Sequence, residues 1–181
     1  MKRLPLVVSL VVLLCFAFAC QNKAEKAELE KFRTQAKIEE QNKDTVISEW
    51  EAFGKGDFEA FKKAVAPEYV WYAPSGSSEP RSLEETIESL KRLRKGFPDI
   101  TFSIEEIIAV GNRVIVRYTE KGTHQGEWLG IPATGNKIEV SGIMIHHIEN
   151  GKVVEDREEF DILGMMTQLG MELKPKEAEK K

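Results

Sequence analysis

Asn150-Gly151 stands between two strand-like runs, residues 137–148 and 152–160. Both central residues of a two-residue hairpin turn need positive φ, and Asn and Gly tolerate that best. The two runs must therefore lie side by side and antiparallel. Upstream, Gly111-Asn112 marks another tight turn, between strands read at residues 100–109 and 113–124. Four consecutive antiparallel strands follow from these signals.

Helical patterns precede them. Asp44 is read as the cap of a helix carrying Val46, Ile47, Trp50 and Phe53 in one stripe, stopped by Gly54 and Gly56. Asp57 opens a shorter helix with Phe58, Phe61 and Val65 on one face, ended by Pro67. A short strand is expected over residues 69–72 and a loop over 73–81. Ser82-Leu83-Glu84-Glu85 is a capping box for a third helix, which buries Leu83, Ile87 and Leu90 and ends at Gly96. A last helix is read over residues 162–169. Helices first and antiparallel strands after them make an α+β chain. A curved sheet wrapped over helices leaves a pocket in its concave face, the usual place for a small ligand.

The ends bound the domain. Lys2 and Arg3 precede an uncharged apolar run over residues 4–19, which closes on Ala17-Phe18-Ala19-Cys20. A basic start, an apolar run and small residues before a cysteine read as a lipoprotein signal, with Cys20 the lipidated residue. That address is the bacterial cell envelope, tethered by lipid, with the outer membrane favoured because Gln21 follows the cysteine. Loss of residues 1–19 removes Lys2 and Arg3 and no acid, moving the net charge from −4 to −6. No basic cluster interleaved with aromatics appears, so nucleic acid is not an expected partner. Residues 20–43 read as a polar tether and 172–181 as a disordered charged tail. Residues 44–171, about 130 in all, suffice for one core. They contain no cysteine, and the three histidines lack metal-ligand spacing, so neither a disulfide nor a metal site is expected.

One dense run carries candidate chemistry: Gly122-Thr-His-Gln-Gly-Glu-Trp-Leu-Gly-Ile-Pro-Ala-Thr-Gly135. His124, Glu127 and Trp128 sit among glycines where the backbone turns or is closely approached. His146 and His147 are adjacent on a strand and must face opposite ways. His146 shares parity with Ile138, Val140 and Met144, although parity alone does not say which face is concave. Arg117, Arg157 and Glu159 are charges that line a pocket or pair across the exposed sheet face.

Together these motifs resemble a known family. Phe97-Pro98-Asp99, the Gly-x-His-x-Gly-Glu run, Gly151-Lys-Val-Val-Glu155 and Asp161-x-Leu-Gly-Met-Met-x-Gln-Leu-Gly170 are similar, in order and spacing, to the SnoaL-like polyketide cyclases, or ester cyclases. The resemblance covers residues 44–171. It implies the nuclear-transport-factor-2-like cone, with N-terminal helices packed in a curved, mostly antiparallel sheet. It also implies a cofactor-free enzyme acting on a small apolar or carbonyl-bearing ligand, and a homodimer. In that family an acid at the end of the last strand serves as acid/base. Asp161 matches it, and His124 matches the motif histidine as its assistant. Asp161 equally suits a helix N-cap. Trp50, Tyr72, Phe97, Arg117, Trp128, Met144, His146 and Glu159 are the expected ligand-binding residues. The chain departs from the family at Tyr72, Ala133, His147 and Arg157. The alternative is a non-catalytic lipoprotein that binds a ligand or protein on the same fold.

Overall fold

The computed structural model describes residues 4–74, 76–172 and 174, with side chains from residue 23 onward. The signal segment's side chains, Cys20 among them, and most of the expected tail lie outside the described residues. Two compact units are distinguished, Met1–Ile38 and Glu39–Lys181.

Helix α1 runs over Leu4–Lys55. It does not begin at Asp44 as the capping pattern suggested. Residues 21–43 are rich in Ala, Glu and Lys and lack Gly and Pro, so nothing stops the helix there. Pairs such as Glu30–Arg33, at 3.3 Å, add modest support in the first unit. Leu29, Phe32 and Ile38 are exposed. Among the described residues no helix is long and apolar enough to cross a membrane.

The second unit holds the end of α1, then α2 (Phe58–Ala64), β1 (Val65–Tyr72), β2 (Arg81–Ser82), α3 (Leu83–Gly96), β3 (Thr101–Val110), β4 (Arg113–Thr123), β5 (Lys137–Glu149), β6 (Lys152–Phe160) and α4 (Ile162–Gln168). Asp57 caps α2, accepting the Ala60 N–H at 2.9 Å. Ser82 and Glu85 form the expected capping box on α3. β1 starts at Val65, two residues before Pro67 rather than after it, and its register with β6 shifts between Val65 and Val70. The sheet order is β2-β1-β6-β5-β4-β3, antiparallel except for the β1–β6 pair. This is the expected α+β cone. Asn150 and Gly151 have φ of 51° and 74°, as the hairpin requires.

Two bulges set which side chains face the helices. Ile148 pairs with Val153 and His147 with Glu155, so Val154 is an extra residue in β6. Beyond it, Asp156 and Glu158 turn inward and Glu155, Arg157 and Glu159 turn outward. A similar shift in β3 falls between Ile104 and Glu106. The inner face packs on α1 and α2 through Val46, Trp50, Ala52, Phe61, Val114, Val116 and Tyr118. A second apolar cluster joins Phe97, Ile100, Ile138, Val140, Met165 and Leu169.

Gly142 lies opposite Tyr118 in the β4–β5 ladder and opposite Phe160 in β5–β6. A Cβ there would sit 2.5 Å from the Tyr118 hydroxyl oxygen. The missing side chain lets Tyr118 cross β5. Gly142→Ala should therefore cost about 1–3 kcal/mol of stability, the scale of overpacking a closed core. Urea denaturation of the variant checks this; an unchanged midpoint would show that Tyr118 can move aside freely.

Candidate functional site

The inner face carries a buried polar cluster at the centre of the sheet. Val114, His146, Asp156 and Trp71 form one cross-strand row over β4, β5, β6 and β1. The His146 Nδ1 lies 2.7 Å from Asp156 Oδ1 and 3.1 Å from Glu49 Oε2. Its Nε2 accepts the Trp50 indole N–H at 3.1 Å. Tyr69 donates its hydroxyl to Asp156 Oδ2 at 2.7 Å. Helix α1 supplies Glu49 and Trp50, one turn after Val46, so a carboxylate and an indole enter the sheet on the same apolar stripe.

The protons follow from the donors. An indole N–H only donates, so His146 Nε2 must be bare and the ring proton sits on Nδ1, toward Asp156 and Glu49. Burial works against an imidazolium and the acids Asp156 and Glu49 beside Nδ1 pull the other way; the Trp50 N–H on Nε2 decides between them and leaves the ring neutral, with its one proton on Nδ1. Burial, and then the Asp156 charge, push the Glu49 carboxyl up to about 8. Glu49 thus keeps its proton at neutral pH. Burial, and then Asp156, also raise the Tyr69 hydroxyl well above its ordinary value, so it stays a donor.

Glu49, His146 and Asp156 bring ligand atoms within 4.8 Å of one another, an outline that could hold a cation. A metal would need the Nδ1 lone pair, with Nε2 carrying the proton and donating it outward. Trp50 imposes the opposite tautomer. The arrangement suits a shared proton, not an ion.

Further along the same face lies a second set. Tyr118 donates a short hydrogen bond to Glu158 Oε1, reaching over Gly142. Among the described residues Glu158 Oε2 and the Glu120 carboxyl have no hydrogen-bond partner. Burial raises Glu158 to about 7; the Tyr118 bond opposes that rise and the Asp156 charge adds to it. Burial, then the Glu158 charge, raise Glu120 to about 8. Tyr118 is raised by burial and then by Glu158. Half-buried Phe102, Met144 and Phe160 border this pair.

The expected site residues divide sharply. Trp50 and His146 join the cluster, and Met144 sits opposite Glu158 in the ladder. Asp161 does not join it. It is exposed and caps α4, its Oδ1 accepting the Gly164 N–H at 2.7 Å. The chain leaves the strand there to start a helix, and the orphan N–H groups take the carboxylate. His124 is fully buried but stacks on Phe97 at 5.0 Å, in the second apolar cluster. Its Nδ1 accepts the Thr134 N–H at 3.3 Å, and Nε2 has no partner among the described residues. Trp128 packs edge-on to Phe97 at 5.6 Å. The glycine-rich loop clasps the end of α3, with Gln125 and Gly126 donating to the Gly96 carbonyl. A Cβ on Gly126 would lie 2.3 Å from the Lys95 carbonyl oxygen, which explains that glycine.

Tyr72, Arg117 and Glu159 are on the outer face. Arg157 stacks over Tyr72 at 4.0 Å, and Arg117 faces Glu106 at 3.7 Å. His147 is also on that side, 2.8 Å from the Asn112 amide. For Arg157 and Glu159 the bulge at Val154 is the cause: without it Glu155, Arg157 and Glu159 would turn inward. Glu49, Tyr69, Tyr118, Glu120, Asp156 and Glu158 were missed. The legible signals were Glu49 inside the Val46–Trp50 stripe and Glu120 on the parity of Val114, Val116 and Tyr118.

Two stability predictions follow from these groups. Glu49, Glu120 and Glu158 bind protons more tightly folded, at about 8, 8 and 7, than at their ordinary value of 4.5. The folded state then holds more protons between those limits, so stability falls as pH rises through this window. Melting temperature should drop steadily from about pH 5 to pH 8.5, and Glu120→Gln should flatten the slope. A rising melting temperature would contradict these assignments. Asp161→Ala should cost about 0.5–2 kcal/mol as a lost cap, while Asp161→Asn, also a good cap, should stay near wild type. Thermal denaturation of the two variants separates cap from core.

The SnoaL-like polyketide cyclase family matches residues 28–169. Among solved structures, AclR from Streptomyces galilaeus is 25% identical with a TM-score of 0.66, over 73% of this chain and 97% of that one. IdmH from Streptomyces antibioticus is 29% identical with a TM-score of 0.64, over 72% and 99%. TsrD from Streptomyces laurentii is 28% identical with a TM-score of 0.64, over 72% and 95%. No curated protein sequence matches the chain.

Proposed function

The chain belongs to the SnoaL-like polyketide cyclase family, and we propose that it is a cofactor-free acid/base enzyme acting on a small carbonyl compound, with Glu158 as the base. One arrangement carries this reading: two carboxyls, Glu158 and Glu120, both face the inner side of the sheet opposite Met144 and Phe102, with Tyr118 bonded to one Glu158 oxygen and burial raising both acids above their ordinary value. A base works best with a proton affinity near the operating pH, and Glu158, at about 7, meets that condition. Tyr118 holds one of its oxygens, which leaves the other toward a ligand.

In the proposed step, Glu158 Oε2 takes a proton from the carbon next to the substrate carbonyl. The C–H electron pair becomes the enolate double bond, and charge moves onto the carbonyl oxygen. Glu120, protonated at neutral pH, donates to that oxygen. Ketosteroid isomerase offers a parallel, in which a carboxylic acid kept neutral by its site stabilises an enolate. Return of the proton at another carbon gives an isomer. Attack of the enolate carbon on a second carbonyl of the same molecule closes a ring. Asp161 has no part in this reading.

The address is proposed to be the bacterial envelope, with Cys20 lipidated after removal of residues 1–19. The N-terminal basic, apolar and small-residue pattern supports it. A homodimer through the outer sheet face is also proposed, supported by exposed Ile108, Val110, Ile143 and Ile145.

Glu158→Gln keeps the shape and removes the base. With a β-diketone or keto ester that the protein turns over, the variant should lose about 10²–10⁴-fold in kcat. Wild-type turnover by Glu158→Gln would overturn the assignment. Recovery of an envelope ligand unaltered, with no turnover by wild type, would favour a binding lipoprotein instead.

A further inference from the structure

Two arginines of the second unit stack on aromatic rings of β1, and they differ in what their N–H groups meet. Arg157 lies over Tyr72 on the outer face and donates to Glu155 at 3.0 and 3.1 Å. Arg81 lies over Trp71, its guanidinium carbon 4.8 Å from the ring centre. Among the described residues Arg81 forms no ion pair, and its one hydrogen bond is a long one, 3.4 Å to the Ala73 carbonyl. The register fixes where this second stack stands. Trp71 pairs with Arg81 on β2 and with Asp156 on β6. Tyr69, two residues before Trp71, bonds Asp156, so Trp71 shares its inward face. Glu158 is two residues beyond Asp156 on that face, a diagonal step from Trp71 that one small molecule can span.

Donors without acceptors accompany the stack. The Trp71 indole nitrogen is buried and has no hydrogen-bond partner among the described residues. The same holds for the hydroxyl of Thr86, a residue 2% exposed on the buried stripe of α3 with Leu83, Ile87 and Leu90. Helix α3 packs on β1, so both groups belong to one end of the fold. An indole N–H can only donate, and a buried donor that meets no acceptor is costly. A ligand oxygen would satisfy it.

We infer that Arg81 and the Trp71 N–H bind a carboxylate of the ligand, so that the substrate is a keto acid with its carbonyl end toward Glu158. The inference rests on the proposed reading of the concave face and names its substrate class. A guanidinium presents a planar fork of N–H groups that matches two carboxylate oxygens. Stacking on Trp71 holds that fork in one orientation before the ligand arrives. Arg81 and Trp71 are half-buried, and β2 is the edge of the sheet. The acid end of the ligand therefore stays at the rim, where a charge keeps part of its hydration, and the rest passes inward.

The test compares the binding of 4-oxopentanoate and of its methyl ester, by NMR titration of full-length protein labelled with nitrogen-15 tryptophan. The chain has three tryptophans, and Trp71→Phe assigns the Trp71 indole signal. The acid should shift that signal and bind about tenfold tighter than the ester or better, the scale of a charge-assisted hydrogen bond. The Trp50 signal, held on His146, should stay in place. Arg81→Met keeps the stem and should bring the acid down to the affinity of the ester, while Arg81→Lys should recover only part of the difference. The acid–ester comparison is made on wild type and needs no variant to fold. Equal affinities, binding of neither compound, or an undiminished preference in folded Arg81→Met would each overturn the inference. Binding is read without turnover. An active Glu158→Gln would thus remove the base and leave the Arg81 site standing, whereas a missing acid preference would remove the site and leave the base.

Discussion

The 2.7 Å approach of His146 to Asp156 organises the second unit. It joins the two central strands, and through Trp50 and Tyr69 it ties them to α1 and β1. A buried imidazole and a buried carboxylate are each costly alone, so each partner makes the other tolerable. The row exists only because Val154 is bulged out of β6. One extra residue reverses the facing of every side chain after it. Without it, Arg157 would enter the apolar face and the pair would be lost.

That placement divides the concave face by function. The deep part, around His146 and Asp156, is closed to solvent. Along the same face, beside Tyr118 over Gly142, lie two further buried carboxyls, Glu158 and Glu120, that burial raises above their ordinary value. The glycine-rich run at residues 122–135 has another part. It grips the end of α3 and closes the second apolar cluster around His124 and Phe97.

The site was only half legible in the sequence. Trp50 could be picked out because it belongs to the apolar stripe of its helix, and His146 because it shares strand parity with Ile138, Val140 and Met144. Asp161 drew attention through its family position, yet local chemistry claims it: the first turn of α4 needs an acceptor, and the carboxylate meets Gly164 N–H. Arg117, Tyr72 and Glu159 were equally plausible from spacing, but they decorate the outer face. Asp156 and Glu158 were invisible within a run of five charged residues, Glu155 to Glu159, in which either parity reads the same.

By itself the sequence determined most of the elements and their order. Hairpin turns at Gly111-Asn112 and Asn150-Gly151, the caps at Asp57 and Ser82 and the apolar stripes are local, short-range signals; they give helices followed by antiparallel strands, and the cone was read from the family resemblance. The end of the tether is the exception, because no breaker separates it from α1. Only the tertiary structure decided the chemistry. Which acids meet the imidazole depends on a single-residue bulge, its tautomer on an indole from another element, and the Tyr118–Glu158 bond on a missing Cβ at residue 142. Burial then sets the proton affinities, and burial belongs to the packed whole.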